Sequence, residues 1–166
     1  MKIKPTIASL TVLLFALGIG IAGDKANFSG KWRLDKDRSF SNPSGLDQTM
    51  TISHNGDQVK LEAIVKTQSG EQNVNENYTL DGKGTEFTPA APPNAKGSRT
   101  ASWLPSGRGI LVNDEISVDG KVVRQVTRKW TLSVDGKTLT ADYFIDEQRG
   151  DQRISYESKR VFNKVE

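Results

Sequence analysis

"KVVRQVTRKWTLSVDGKTLTADYFI", residues 121–145, reads as two strands joined by a turn. Val122, Val126, Trp130 and Leu132 fall on one face of the first segment. Val123, Gln125, Thr127, Lys129 and Thr131 fall on the other, which is mostly polar. Beyond Asp135-Gly136 the alternation resumes with Leu139, Ala141, Tyr143 and Ile145. A period of two with one wet face belongs to antiparallel strands around a single interior. The Asp-Gly pair supplies the positive φ that a tight hairpin turn needs.

The same pattern runs outward in both directions. Turn pairs recur at Asn55-Gly56, Ser69-Gly70, Asp81-Gly82, Ser106-Gly107, Asp119-Gly120, Asp135-Gly136 and Arg149-Gly150. Between them Val59, Leu61, Ala63 and Val65 share a face, as do Val74, Tyr78 and Leu80. No segment after residue 23 carries a helical period. The spacing predicts strands over 28–34, 48–54, 58–67, 72–80, 85–88, 98–104, 109–117, 122–133, 138–145 and 152–163. Sequential hairpins of this number favour an all-β, antiparallel up-and-down barrel of about 8–10 strands, because closure removes exposed edges. A β-sandwich is the alternative. Residues 88–97 carry three prolines and form a loop at a barrel mouth or an edge, since proline cannot donate to a ladder. Residues 35–47 are the other long polar connection.

Residues 1–22 read as a secretory signal peptide rather than as part of the fold. Lys2 and Lys4 precede an apolar stretch, and Gly20-Ile21-Ala22 is an acceptable cleavage site. The stretch is short of the roughly 20 residues that span a bilayer, so no stable membrane insertion is expected after cleavage. Residues 23–166 form the domain, large enough for one core. The expected location is periplasmic or extracellular. The chain has a formal net charge of +3, to which the leader contributes two lysines, so no clustered positive excess points to nucleic acid. The absence of cysteine excludes thiol catalysis, thiolate metal sites and disulfide support.

Phe28-Ser29-Gly30-Lys31-Trp32 resembles the first-strand motif of the calycins, which include the lipocalins, fatty-acid-binding proteins and avidins. The similarity is greatest to small exported bacterial lipocalin-like proteins, through this motif, the Asp-Gly-Lys hairpin and the late strand "SYESKRVF". The resemblance implies a barrel closed at one end by Trp32, with Arg160 packed across the indole and Gly30 allowing the backbone to bend. It also implies enclosure of a small ligand. Avidin-like biotin binding is not expected, because the further tryptophans of that group have no match here.

Arginines on otherwise apolar faces need partners, because an unpaired buried charge is costly. Arg124 and Arg128 share a face with Val126 and Trp130, and Arg160 shares one with Ile154, Tyr156 and Phe162. Arg128 either receives a ligand anion or is neutralised internally, with Glu76 as the candidate partner. Trp103, Val112, Val126, Trp130, Tyr143 and Tyr156 are the expected apolar wall of a ligand site, with Arg128 selecting an acidic head group. His54, the only histidine, flanks the turn at Asn55-Gly56 and is expected to be solvated. Asp114 and Glu115 are neighbours, so on a strand they face opposite ways. "RGD" at 149–151 has the chemistry of a charged hairpin tip.

The expectation is an exported monomer that binds or carries a small ligand, largely apolar or acidic, inside the barrel. No cofactor, metal site or catalytic residue is expected. The alternative is a filled barrel that acts as an interaction or inhibitor module through its loops. A third reading is a cavity isomerase or hydratase using Glu76 with an arginine.

Overall fold

The computed structural model describes residues 25–40 and 46–165; the leader read over residues 1–22 lies outside them. Ten antiparallel strands form one sheet, and no helix occurs among the described residues. They are β1 (Gly30–Phe40), β2 (Asp47–Asn55), β3 (Gln58–Thr67), β4 (Gly70–Thr79), β5 (Thr85–Phe87), β6 (Lys96–Trp103), β7 (Gly109–Val118), β8 (Lys121–Leu132), β9 (Thr138–Arg149) and β10 (Gln152–Val165). The strand order is β4-β3-β2-β1-β10-β9-β8-β7-β6-β5. Every hairpin neighbour but one is therefore paired, and β10 returns to pair with β1.

The turn glycines explain the regularity. All seven residues read as turn glycines have positive φ, from 59° at Gly150 to 130° at Gly70. At the Asp135-Gly136 turn, Asp135 Oδ1 accepts from Ser133 Oγ at 2.6 Å and from the Lys137 amide at 3.0 Å. That local bonding holds β8 and β9 in a register running from Leu132–Leu139 to Arg124–Glu147.

The exception in the ladder is the gap between β4 and β5, which are the two ends of the sheet. At one end of this seam the chain crosses over. The Asp81–Ser102 bridge and the Gly82 amide bonded to the Ala101 carbonyl at 2.9 Å attach the strand's continuation to β6. Along the rest of β4 the backbone edge carries no ladder.

Strand β1 runs further than the sequence pattern indicates. Residues 35–40, expected to begin a polar connection, continue the strand through an irregularity against β10, between Asp35–Val161 and Phe40–Lys159. The inserted residues satisfy one another. Ser39 Oγ accepts the Val161 amide at 2.9 Å, and Asp35 accepts from Arg38 Nε at 2.7 Å and Asn163 Nδ2 at 3.1 Å. Side-chain bonds of this kind keep a bulged strand in place without a hydrophobic period.

Inward side chains form rows across the sheet. Trp32, Met50, Ala63 and Val74 are successive partners over β1 to β4, and Ala101, Val112, Arg128, Tyr143 and Ser158 over β6 to β10. Trp32, Phe28, Phe162, Leu139 and Ile110 are among the completely buried side chains.

Candidate functional site

Phe28 lies just before β1 and plugs one end of the barrel. Its ring packs on His54 at 5.6 Å, Trp103 at 6.1 Å and Trp130 at 6.5 Å, between ring centroids. The Trp32 indole donates to the Phe28 carbonyl at 3.0 Å. The cation over Trp32 is Lys164, whose Nζ stands 5.4 Å from the ring. This corrects the expectation for Arg160, which lies over Tyr143 at 4.6 Å instead. The cause is register. Trp32 pairs directly with Lys164, and Arg160 lies four residues earlier on the same face of β10.

His54 flanks the turn as expected and is half-buried, solvated on one side and bonded into the fold on the other. Its Nδ1 accepts the Phe28 amide at 3.2 Å, so Nε2 carries the proton and donates to the Gly56 carbonyl at 2.9 Å. Burial holds its pKa below the ordinary histidine range, against the opposing pull of the Gly56 carbonyl and Asp57.

Beside Trp130 lies a partly open interior cavity of about 140 Å³. Met50, Leu61, Val65, Val74, Trp130, Ala141 and Phe162 give it an apolar wall. Gln48, Glu76, Arg128, Tyr143 and Arg160 supply its polar groups. Of the expected wall residues, Arg128, Trp130 and Tyr143 come together here. Val112 is wholly buried in the packed core. Trp103 lies by the plug, with its indole bonded to Asp57 at 2.9 Å. Val126 and Tyr156 belong to a row further along the barrel, beside Ile145.

Two arginines with the same chemistry have opposite surroundings here. Arg128 donates through Nη1 to Glu76 Oε2 at 2.7 Å and to the Tyr78 hydroxyl at 3.1 Å, and through Nη2 to Asp114 Oδ2 at 2.6 Å. Arg99 completes the set, with bonds of 2.6 and 2.8 Å to Asp114 and 2.9 Å to Glu76. Two guanidiniums and two carboxylates thus form a neutral, almost dry cluster. Burial pushes the Glu76 carboxyl up, but Arg128 and Arg99 outweigh it and hold it below its usual range. Burial acts against the charge on Arg128, and Tyr78, Glu76 and Asp114 more than restore it, so Arg128 stays protonated. Tyr78 donates to Glu76, and its pKa is raised, first by burial, so it stays neutral. Internal pairing, one of the two readings of Arg128 that the sequence left open, is what the structure builds.

Arg160 has no such set. Its Nη1 donates to the neutral Gln48 Oε1 at 2.9 Å, and its Nε is buried without a partner. Among the described residues no carboxylate lies within ion-pair distance of it. The cavity is therefore lined both by a neutral ion cluster, through Glu76 and Arg128, and by Arg160, which has no carboxylate partner among the described residues. The sequence signal for Arg160 was its place on an inward face, but nothing in the sequence told it apart from Arg128.

A groove of about 900 Å³ follows the seam between β4 and β5 on the outside. It shares Val74 and Glu76 with the interior cavity. A second outer groove, about 570 Å³, crosses β1 to β4 beside Lys31, Arg33 and Ile64.

No family model matches the chain, and no curated protein is similar to it in sequence. Solved structures do share its architecture. The chain is similar to apo lipid binding protein 8 of Caenorhabditis elegans, with a TM-score of 0.58 and 14% identity over 83% of this chain and 95% of that one. A fatty acid binding protein of Schistosoma mansoni in complex with arachidonic acid gives 0.57 and 14%, over 87% and 100%. Secretory abundant heat soluble protein 4 of Ramazzottius varieornatus gives 0.53 and 9%, over 87% and 97%. What these structures share with the chain is the fold, an antiparallel up-and-down β-barrel. At these identities the likeness is one of architecture, and the chemistry of the site rests on this chain's own residues.

Proposed function

We propose that this protein is an exported, monomeric, lipocalin-like binding protein that encloses a small organic acid with an apolar body. Arg160 carries the reading: a cation facing a small, largely apolar interior cavity with only a neutral amide for a hydrogen-bond partner. A carboxylate there gains charge-assisted bonds to the guanidinium, which has an Nε still unpaired. Tyr143 backs the guanidinium, and Trp130 and Phe162 offer apolar surface for the ligand body. The lipid- and fatty-acid-binding proteins that share the fold support the reading. Export rests on the leader read over residues 1–22.

The buried acids do not suit a cavity enzyme. Glu76 is held ionised between two arginines, and a general acid or base needs a pKa near the working pH. A filled barrel acting through its loops is the second reading. It is favoured by one observation: 140 Å³ is well below the roughly 300–1,000 Å³ of common ligand pockets.

Titration with hexanoate, read by tryptophan fluorescence and calorimetry, separates the two. Saturable one-to-one binding that weakens about ten- to a hundredfold in Arg160→Met, the loss of a charged hydrogen bond of ~1.5–3 kcal/mol, supports the carrier. Folded protein that takes up no acid supports the filled barrel.

A further inference from the structure

We infer that the ligand site does not end at the cavity but continues sideways through the seam between β4 and β5. This deepens the carrier reading and rests on it. The seam is a real opening in the sheet. No Cα of β5 lies within 8 Å of a Cα of β4, whereas hydrogen-bonded neighbours stand about 4.8 Å apart. Past the Asp81–Ser102 bridge no backbone ladder closes the edge of β4, and the cavity and the outer groove have lining residues in common there. Val74 and Glu76 face both. Glu76 is fixed by Arg99 and Arg128, so the passage runs beside Val74, on the side of the ion cluster away from the bridge.

The two compartments select different parts of one molecule. The cavity holds a cation and too little volume for a long chain. The groove is several times larger and of mixed character. Val74, Phe87 and Pro89 offer apolar contact, and Asn73, Asn75 and Thr85 offer hydrogen bonds, alongside the unpaired backbone edge of β4. The ligand class that fits both is an elongated amphiphilic acid. Its carboxylate sits at Arg160, an aliphatic stretch passes Val74, and a hydroxyl or amide toward the far end meets the polar rim. A barrel that buries its ligand whole would reject that distal polar group, because nothing inside would pair it.

Three probes test this by calorimetry on the full domain: hexanoate, hexadecanoate and 16-hydroxyhexadecanoate. The 16-carbon acids bind at least tenfold tighter than hexanoate, and the terminal hydroxyl costs less than twofold. Thr85→Trp, which fills the groove at a residue outside the cavity, weakens both long acids at least tenfold and hexanoate less than twofold. Thr85→Ala does not weaken hexadecanoate. Affinity that stops rising beyond hexanoate, or a Thr85→Trp effect equal for all chain lengths, overturns the lateral site and leaves the carrier reading standing. Failure of every acid overturns both. If Thr85→Trp does not fold, a second measurement decides. The chain has no cysteine, so a nitroxide placed at Asn75→Cys is unique. It quenches a pyrene at the far end of a bound 16-carbon acid, whereas one at Gln125→Cys, on an outer face away from the seam, does not. Equal quenching from both sites, or none from position 75, overturns the proposal.

Discussion

Replacing Glu76 by glutamine tests how the seam is held. Its carboxylate joins β4 to β6 through Arg99 and to β8 through Arg128, and no backbone ladder ties β4 to β5 or to β6 over residues 70–79. Glutamine keeps one acceptor oxygen and turns an NH₂ toward the other guanidinium. Two buried arginines are then left with Asp114 alone. Removing one partner of a buried ion pair costs about 3–5 kcal/mol. Glu76 is 20% exposed, which favours the lower end, about 3 kcal/mol. At roughly 3 °C per kcal/mol for a domain of this size, Tm falls by about 9 °C. Urea unfolding followed by the buried Trp32 and Trp130 gives the free energy directly. The pH dependence has a definite sign. The folded pKa of Glu76 lies below its unfolded value near 4.3, so the contribution is complete above that value and is lost as pH falls through the folded one. The difference between wild type and Glu76→Gln therefore closes in acid. A loss under about 1 kcal/mol at pH 7, or a loss that persists undiminished at pH 3, refutes the reasoning.

Two further outcomes follow from the backbone and the plug. Gly30→Ala and Gly70→Ala, at φ 142° and 130°, each cost about 1–3 kcal/mol of backbone strain in urea unfolding. At position 30 the new Cβ stands 2.5 Å from Lys164 Cε and displaces that side chain from the Trp32 ring, so only Gly30→Ala exposes Trp32 to iodide quenching. His54 resists protonation in the fold, so stability is full above the unfolded pKa near 6.5 and falls as pH drops through the lower folded value. Tm measured from pH 7.5 to 5 declines in wild type, and His54→Phe, which keeps a ring beside Phe28 and Trp103 without a titrating group, lacks that step.

The ten strands were legible because each turn declares itself chemically. Asn55-Gly56 and Asp135-Gly136 demand a backbone that few other residues adopt, and the alternation between turns does the rest. Parity was legible too: Arg128, Trp130 and Tyr143 do meet at one cavity. Register was not. Trp32 faces Lys164 rather than Arg160 because of a pairing between the first and last strands, and both cations have the same parity. The continuation of β1 to Phe40 was hidden because Ser39 and Asp35 stabilise it by side-chain bonds, with no apolar period to see. Glu76 was legible as a partner for Arg128, but Arg99 and Asp114 were not, since the cluster forms where β4 approaches β6 across the seam. The half-burial of His54 was hidden because its partner is a main-chain amide, which sequence does not mark.

Arg128 and Arg160 show why stability alone does not account for the interior. Arg128 sits in a neutral cluster in which each carboxylate bonds both guanidiniums, so its removal leaves buried charge behind. Arg160 is only partly buried, and its contacts are a neutral amide and the face of a tyrosine, the latter worth about 0.5–2 kcal/mol. An apolar side chain of similar length at position 160 fills the same space beside Met50 and Phe162 and strands no buried charge. Arg160→Met is accordingly expected to change stability in urea by no more than about 2 kcal/mol, while it weakens the cavity's affinity for acids about ten- to a hundredfold. A side chain that the empty barrel can spare and the loaded one cannot is the mark of a ligand site, and this is the sense in which the small cavity and the uncompensated cation belong together.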